Sequence, residues 1–173
     1  MTKVIQCDPL KCTGCKTCEA ACSLKHLGLV NPAKARLHNH NYALEDLNVV
    51  LTCLQCDEPF CAASCPVQAI VKDPDTGIVK VTDKCVGCQM CALSCPYGHI
   101  TYHQGDKTAS KCEQCDGEPE CVALCPTGAL IYVEKDERMV IKGKSVPTDL
   151  DYSLRFKKTI PTRFSDRFLA KQE

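Results

Sequence analysis

The stretch KCTGCKTCEAAC, residues 11–22, sets four cysteines at C-x2-C-x2-C-x3-C, and the use made of those thiols decides the fold. Three more blocks follow: CLQCDEPFCAASC at 53–65, CVGCQMCALSC at 85–95 and CEQCDGEPECVALC at 112–125. The ligand candidates are therefore Cys12, Cys15, Cys18 and Cys22, then Cys53, Cys56, Cys61 and Cys65, then Cys85, Cys88, Cys91 and Cys95, and last Cys112, Cys115, Cys121 and Cys125. They account for all but one of 17 cysteines in 173 residues, a density that points to a disulfide scaffold or a metal protein.

Disulfides require an oxidising compartment. The opening residues MTKVIQCDPLKC hold no apolar core of roughly 7–15 residues such as an export signal carries, and no apolar run approaches the roughly 18 residues of a membrane span. The expectation is a cytoplasmic chain with reduced thiols and no membrane span. Structural zinc is the next alternative, but it takes paired C-x2-C turns, two corners of a tetrahedron from each. Here three cysteines crowd into one short loop and a fourth follows, in three blocks with proline behind it: the bacterial ferredoxin run. Such a loop wraps a [4Fe-4S] cube at three irons while the fourth cysteine points away to the other cluster of a pair.

Blocks one and three share KC-x-GC, and blocks two and four share C-x-QCD and a Glu-Pro before a wider gap, so the chain reads as two copies of a two-block unit, roughly 1–80 and 81–135. Gly14 and Gly87 either make room for a cube or make a turn. Hairpins are expected over 69–81, around Asp-Pro-Asp-Thr-Gly, and over 129–142, with Glu134 to Arg138 at the tip. Pro66, Pro96 and Pro126 fit the first turn of short helices. The left-over Cys7, in VIQC, reads as a small buried hydrophobe. Tryptophan is absent and cysteine supplies much of the 45% hydrophobic content, so clusters must stand in for a thin aliphatic core and folding should be coupled to metal. The formal charge is zero; 16 thiolates and four oxidised cores shift it by about −8. An acidic holoprotein disfavours nucleic acid as a partner.

Taken together, the four blocks resemble the four-cluster ferredoxin-like electron-transfer subunits of molybdenum or tungsten oxidoreductases, formate-linked hydrogenases and carbon monoxide dehydrogenases. The resemblance covers residues 2–135 and implies an α+β fold of tandem bacterial-ferredoxin-like domains, loop-rich, with short hairpins and short helices around four [4Fe-4S] clusters. It implies nested pairing: Cys12, Cys15 and Cys18 with Cys125; Cys112, Cys115 and Cys121 with Cys22; Cys53, Cys56 and Cys61 with Cys95; Cys85, Cys88 and Cys91 with Cys65. One domain then takes 1–22 and 106–141, the other 50–105, with a spacer at 23–49 and a tail at 142–173. Block one departs from the pattern by lacking the trailing proline.

The compact length makes the chain most similar to small subunits serving tungsten-containing aldehyde oxidoreductases; those of carbon monoxide dehydrogenase, hydrogenase and formate dehydrogenase are similar in the same blocks. The implied function is conduction of single electrons between a catalytic subunit and an acceptor, such as a flavin-containing or other electron-accepting subunit. An enzyme in its own right is the rival, yet no G-x-x-x-x-G-K-[ST], G-x-G-x-x-G or H-E-x-x-H motif is present. Sixteen ligating cysteines would leave no open iron. His26, His38, His40, His99 and His103 read as solvent-facing or loop residues. A regulatory iron–sulfur sensor would need a DNA-binding element, and none is visible. The basic tail, with Phe156, Phe164 and Phe168, reads either as folding back over the clusters or as docking on a neighbour, including head-to-tail on another copy of the chain.

Overall fold

Short elements follow from the cysteine blocks, because a loop bent around a metal site leaves few residues for regular structure. The computed structural model describes residues 2–42, 47–103 and 105–135, together with the backbone of strands at 139–141 and 144–146. The tail with its three phenylalanines lies outside the described residues, apart from that last strand.

The first half is built from the two ends of the described chain. Strand β1 (Lys3–Cys7) pairs antiparallel with a strand from far downstream, Leu130–Glu134, in the register Lys3↔Glu134 to Cys7↔Leu130. Helix α1 (Thr17–Leu27) packs on a four-residue helix, Glu120–Ala123, that follows block four. Hairpin β2 (His38–Tyr42) and β3 (Leu47–Leu51) comes from the spacer, and β3 lies against β1. The spacer is therefore no independent segment: Ala35, Leu37 and Val50 join Ile5, Leu130 and the thiols of Cys18, Cys22, Cys53, Cys112 and Cys121 in one core.

The second half repeats the plan at smaller scale. Helix α2 (Phe60–Ala63) packs on α3 (Met90–Ser94). Hairpin β4 (Ile70–Lys72) and β5 (Val79–Val81) forms over the segment expected, with Asp73 Oδ1 accepting the N–H groups of Asp75 and Thr76 in its tip. A two-residue pair, β6 (Ile100–Thr101) and β7 (Ser110–Lys111), completes it. Among the described residues its buried core holds Ile70, Val79, Ile100 and Ala109 besides Cys61 and Cys91. In chain order the helix after block four is α4, and the strands after it are β8 (Leu130–Glu134), β9 (Met139–Ile141) and β10 (Lys144–Val146).

Two expectations need correction. The run over 129–142 is no hairpin: β8 takes β1 as its partner, and β9 pairs instead with β10. The apolar run at the start of β1, with Val4 and Ile5 buried, needs a sheet neighbour, and β8 matches it over five residues. Pro66, Pro96 and Pro126 open turns rather than helices. In each, the N–H three residues after the last cysteine donates to that cysteine's carbonyl at 3.2 Å, from Gln68, Gly98 and Gly128. Proline's fixed φ suits the second position of such a turn. The short helix precedes the cysteine, and the turn delivers the chain into β4, β6 or β8. No helix among the described residues is long and apolar enough to cross a membrane.

Candidate metal centres

All 17 cysteines are free thiols, and the fold gathers them. Cys53, Cys56, Cys61 and Cys95 line a single cavity together with Val79, Tyr97, His99, Ile100 and Lys111. Cys22 projects from α1 into the core that holds Cys112 and Cys121. Cys12 and Cys125 pack against the same core beside buried Cys18. Around the second core, Cys65, Cys85 and Cys95 pack against Cys61 and Cys91. Cys15 and Cys88 are the two exposed members, on the outer turns of the tight loops in blocks one and three.

Those tight loops need left-handed backbone. Gly14 and Gly87 have φ of +71° and +69°, and Lys16 and Gln89, just ahead of the helices, are left-handed as well. A Cβ on Gly14 would meet Asn48 Oδ1 at 2.4 Å, and one on Gly87 would meet the Lys107 carbonyl at 2.9 Å. The turn and neighbouring protein atoms thus account for both glycines.

The donor chemistry fits iron–sulfur clusters. Soft thiols line these sites, and donors are already aimed at sulfur: Arg36 N–H to Cys22 at 3.3 Å, Ala69 N–H to Cys65 at 3.2 Å, Asn39 Nδ2 to Cys12 and Thr17 Oγ1 to Cys15, both at 3.4 Å. Such bonds stabilise a thiolate and tune a cluster's potential. Burial pushes the Cys18 and Cys112 thiols up to about 12 and Cys61 up to about 11. At Cys65 and Cys125 burial also pushes upward, but backbone N–H groups, led by Ala69 and Leu130 respectively, outweigh it and hold both thiols below their ordinary value. The Thr17 hydroxyl does the same for Cys15. Buried thiols held neutral in the bare protein are deprotonated when they bind metal.

Several site residues were not legible as such. His26, expected to face solvent, lies half-buried on α1 with Nε2 3.2 Å from Glu113 and 3.9 Å from Cys115 Sγ; Glu113 in turn pairs with Arg36. His99, also read as peripheral, stacks on Tyr97 at the Cys53 cavity. His38 and His103 are half-buried too, and His40 is exposed. Gln55 and Gln114, one in each C-x-QCD repeat, are 0% and 1% exposed. The Gln55 amide donates to the Cys112 carbonyl at 3.0 Å and accepts from Val79 N–H at 2.9 Å. The Gln114 amide donates to the Lys3 carbonyl at 2.7 Å and accepts from the Tyr132 hydroxyl at 3.2 Å. Repetition of the motif was the available signal. Cys7 is buried, as expected of a small hydrophobe: its sulfur accepts from Val50 N–H at 3.4 Å, and burial pushes the thiol up to about 12.

Comparison with known proteins agrees with this chemistry. A family model described as a 4Fe-4S dicluster domain matches residues 47–136, and a second model of the same description matches residues 11–70. The polyferredoxin-like subunit of the aliphatic sulfonate oxidoreductase of Pyrococcus furiosus is 40% identical over 81 residues, 46% of this chain and 46% of its own. The electron transport protein HydN of Escherichia coli (strain K12) is 33% identical over 95 residues, 51% of this chain and 53% of its own. The chain thus spans about half the length of these curated relatives. Among solved structures, a chain of the BamBC active site complex of benzoyl coenzyme A reductase with benzoyl-CoA aligns over 98% of this chain and 95% of its own, at 24% identity and a TM-score of 0.45. Two dicluster matches that together span all four cysteine blocks place the chain in the 4Fe-4S dicluster domain family, as a tandem ferredoxin-like protein.

Proposed function

We propose that the chain is a non-catalytic electron-transfer subunit carrying four [4Fe-4S] clusters, with the nested ligand sets set out above. The observation that carries this reading is the cavity bounded by Cys53, Cys56, Cys61 and Cys95, because its four thiols come from two different blocks in the combination that nesting requires. Adjacent sets also lie close together: Cys18, Cys22, Cys53, Cys112 and Cys121 share one core. The row then runs from the Cys12 set to the Cys112 set, on to the Cys53 set and out to the Cys85 set. Exposed Cys15 and Cys88 stand near its two ends, where electrons would enter and leave. When bound, the clusters supply one-electron redox chemistry; the protein holds them apart from solvent and orients donors at their sulfurs.

The catalytic partner in this reading is a molybdenum- or tungsten-containing oxidoreductase, with the tungsten aldehyde enzymes first, and the compartment is the cytoplasm. Support comes from the resemblance of the blocks and from kinship to a polyferredoxin-like subunit of an oxidoreductase. Anaerobic purification tests the cluster claim: about 16 irons and 16 sulfides per chain are expected, and two cubes only, under full iron and sulfide supply, would reject it. Identification of the co-purifying subunit tests the partner.

A further inference from the structure

Lys111 is a buried cation. It is 4% exposed, and its ammonium donates to the carbonyls of Val79 at 2.8 Å and Cys112 at 3.0 Å and to Gln55 Oε1 at 3.4 Å. Every one of these acceptors is neutral. Among the described residues no carboxylate pairs with it. A buried charge without a counter-charge is costly, so the fold must provide one. The same lysine lines the cavity bounded by Cys53, Cys56, Cys61 and Cys95. A cube with four thiolates carries a net charge of about −2 oxidised and −3 reduced.

We propose that Lys111 is the counter-ion of the cluster in the Cys53, Cys56, Cys61 and Cys95 cavity, and that it raises this cluster's reduction potential so that it is reduced first among the four. This rests on the four-cluster reading. The direction follows from charge: a fixed cation favours the state with one more electron. Gln55, between Cys53 and Cys56 in sequence, holds the ammonium in place through its Oε1. The matching position in the other half has no cation, since Thr52 precedes Cys53 where Lys111 precedes Cys112. The amide equivalent to Gln55, that of Gln114, meets the Lys3 carbonyl and the Tyr132 hydroxyl, and no ammonium among the described residues. Arg36 and Lys25, the cations that act on Cys22 and Cys115, are each paired with a carboxylate, Glu113 and Glu120 respectively.

The test is an anaerobic redox titration followed by electron paramagnetic resonance, with iron and sulfide counted in every sample. Cys95→Ala identifies the step belonging to this cluster. In Lys111→Met that step should move to lower potential and lose its place as the first, while the other three stay; Lys111→Arg should keep it close to wild type. Lys111→Gln, which retains a donor without the charge, should behave as Lys111→Met. An unshifted step in fully loaded Lys111→Met or Lys111→Gln overturns the proposal. So does failure of both neutral variants to load iron, which would make the lysine structural. Failure of the wild type to hold four cubes would instead defeat the four-cluster reading, so the two claims fall separately.

Discussion

Blocks one and three start alike and end differently. Both have C-x2-C-x2-C loops with a left-handed glycine at the second turn residue and a left-handed residue ahead of the helix. In block three the helix lasts five residues, and Cys95 is already extended at φ −73°, ψ 111°, as the residue before a proline must be. Block one has Ser23 where Pro96 stands in block three, and its helix continues to Leu27, closed by left-handed Gly28. The added length carries Lys25 to Glu120 at 3.1 Å and His26 to Glu113 at 3.2 Å. A five-residue ladder, the spacer's Leu37 and Val50 of β3 stand behind the first half, whereas three- and two-residue ladders stand behind the second. The cysteine motif fixes the tight loop; the residue after its last cysteine fixes how much helix stands behind it.

The largest expected effect follows from that inequality. When the clusters are stripped by a chelator under anaerobic conditions, the second half should lose most amide-exchange protection, falling toward the near-zero opening free energies of unfolded segments, while β1 and β8 keep part of theirs. Equal loss in both halves would remove the claimed difference in support.

Single ligands come next. Cys22→Ala and Cys95→Ala should each disturb one cluster and cost about a quarter of the iron, the first altering the signal of the Cys112 set and the second that of the Cys53 set. If Cys22→Ala instead perturbs the cube held by Cys12, Cys15 and Cys18, the nested assignment fails and the comparison between halves must be redrawn.

Exchanging the punctuation is a milder probe. Ser23 is fully buried; its hydroxyl donates to the Ala20 carbonyl and accepts from Asn31 N–H, both at 3.0 Å. Ser23→Pro breaks α1 in its interior, at about 3 kcal/mol or more. Pro96→Ala only loosens a turn, at about 0.4–1 kcal/mol. Denaturant midpoints of the loaded proteins should separate the two variants in that order.

How much of this was legible depends on the range of the interaction. The four cysteine blocks and the 4Fe-4S family they indicate could be read because a cluster-binding loop sets its thiols at fixed local spacing. So could the β4–β5 hairpin, whose Asp-Pro-Asp-Thr-Gly tip is a local turn signal. The pairing of β1 with β8 joins Cys7 to Leu130, and no local pattern encodes a partner that remote; the segment's own hairpin-like composition pointed the other way. Proline suits both a helix start and a turn, and the following strand decides between them. A lone histidine after block one carries no local signal of burial; the serine that stands in place of proline lets α1 run on to Leu27 and brings His26 to Glu113. Lys111 and Gln55 were silent as functional residues, since a buried ammonium is recognisable only once its acceptors are in place.

The smallest effect concerns protons. The burial-raised thiols lie mostly in the first half: Cys18 and Cys112 at about 12, with Cys22, Cys115 and Cys121 raised as well, while Cys15 and Cys125 are lowered. In the second half Cys61 stands at about 11, Cys56 and Cys91 are raised, and Cys65 is lowered. A thiol raised above its ordinary value of 9.0 stays protonated in the bare fold at neutral pH. Binding iron therefore expels its proton, and raising the pH favours loading. The bare fold responds in the opposite sense. Its raised thiols bind more protons than the unfolded chain does between pH 9 and about 12, so the stability they contribute is present below that window and lost as pH climbs through it. Reconstitution followed at pH 7 and pH 9 should then show a steeper gain for the two clusters of the first half, read from their separate resonance signals, with more protons released per cluster in unbuffered solution. An equal pH response in the two halves would show that burial of the thiols does not distinguish them, and would leave the length of α1 and the spacer's side chains as the difference that matters.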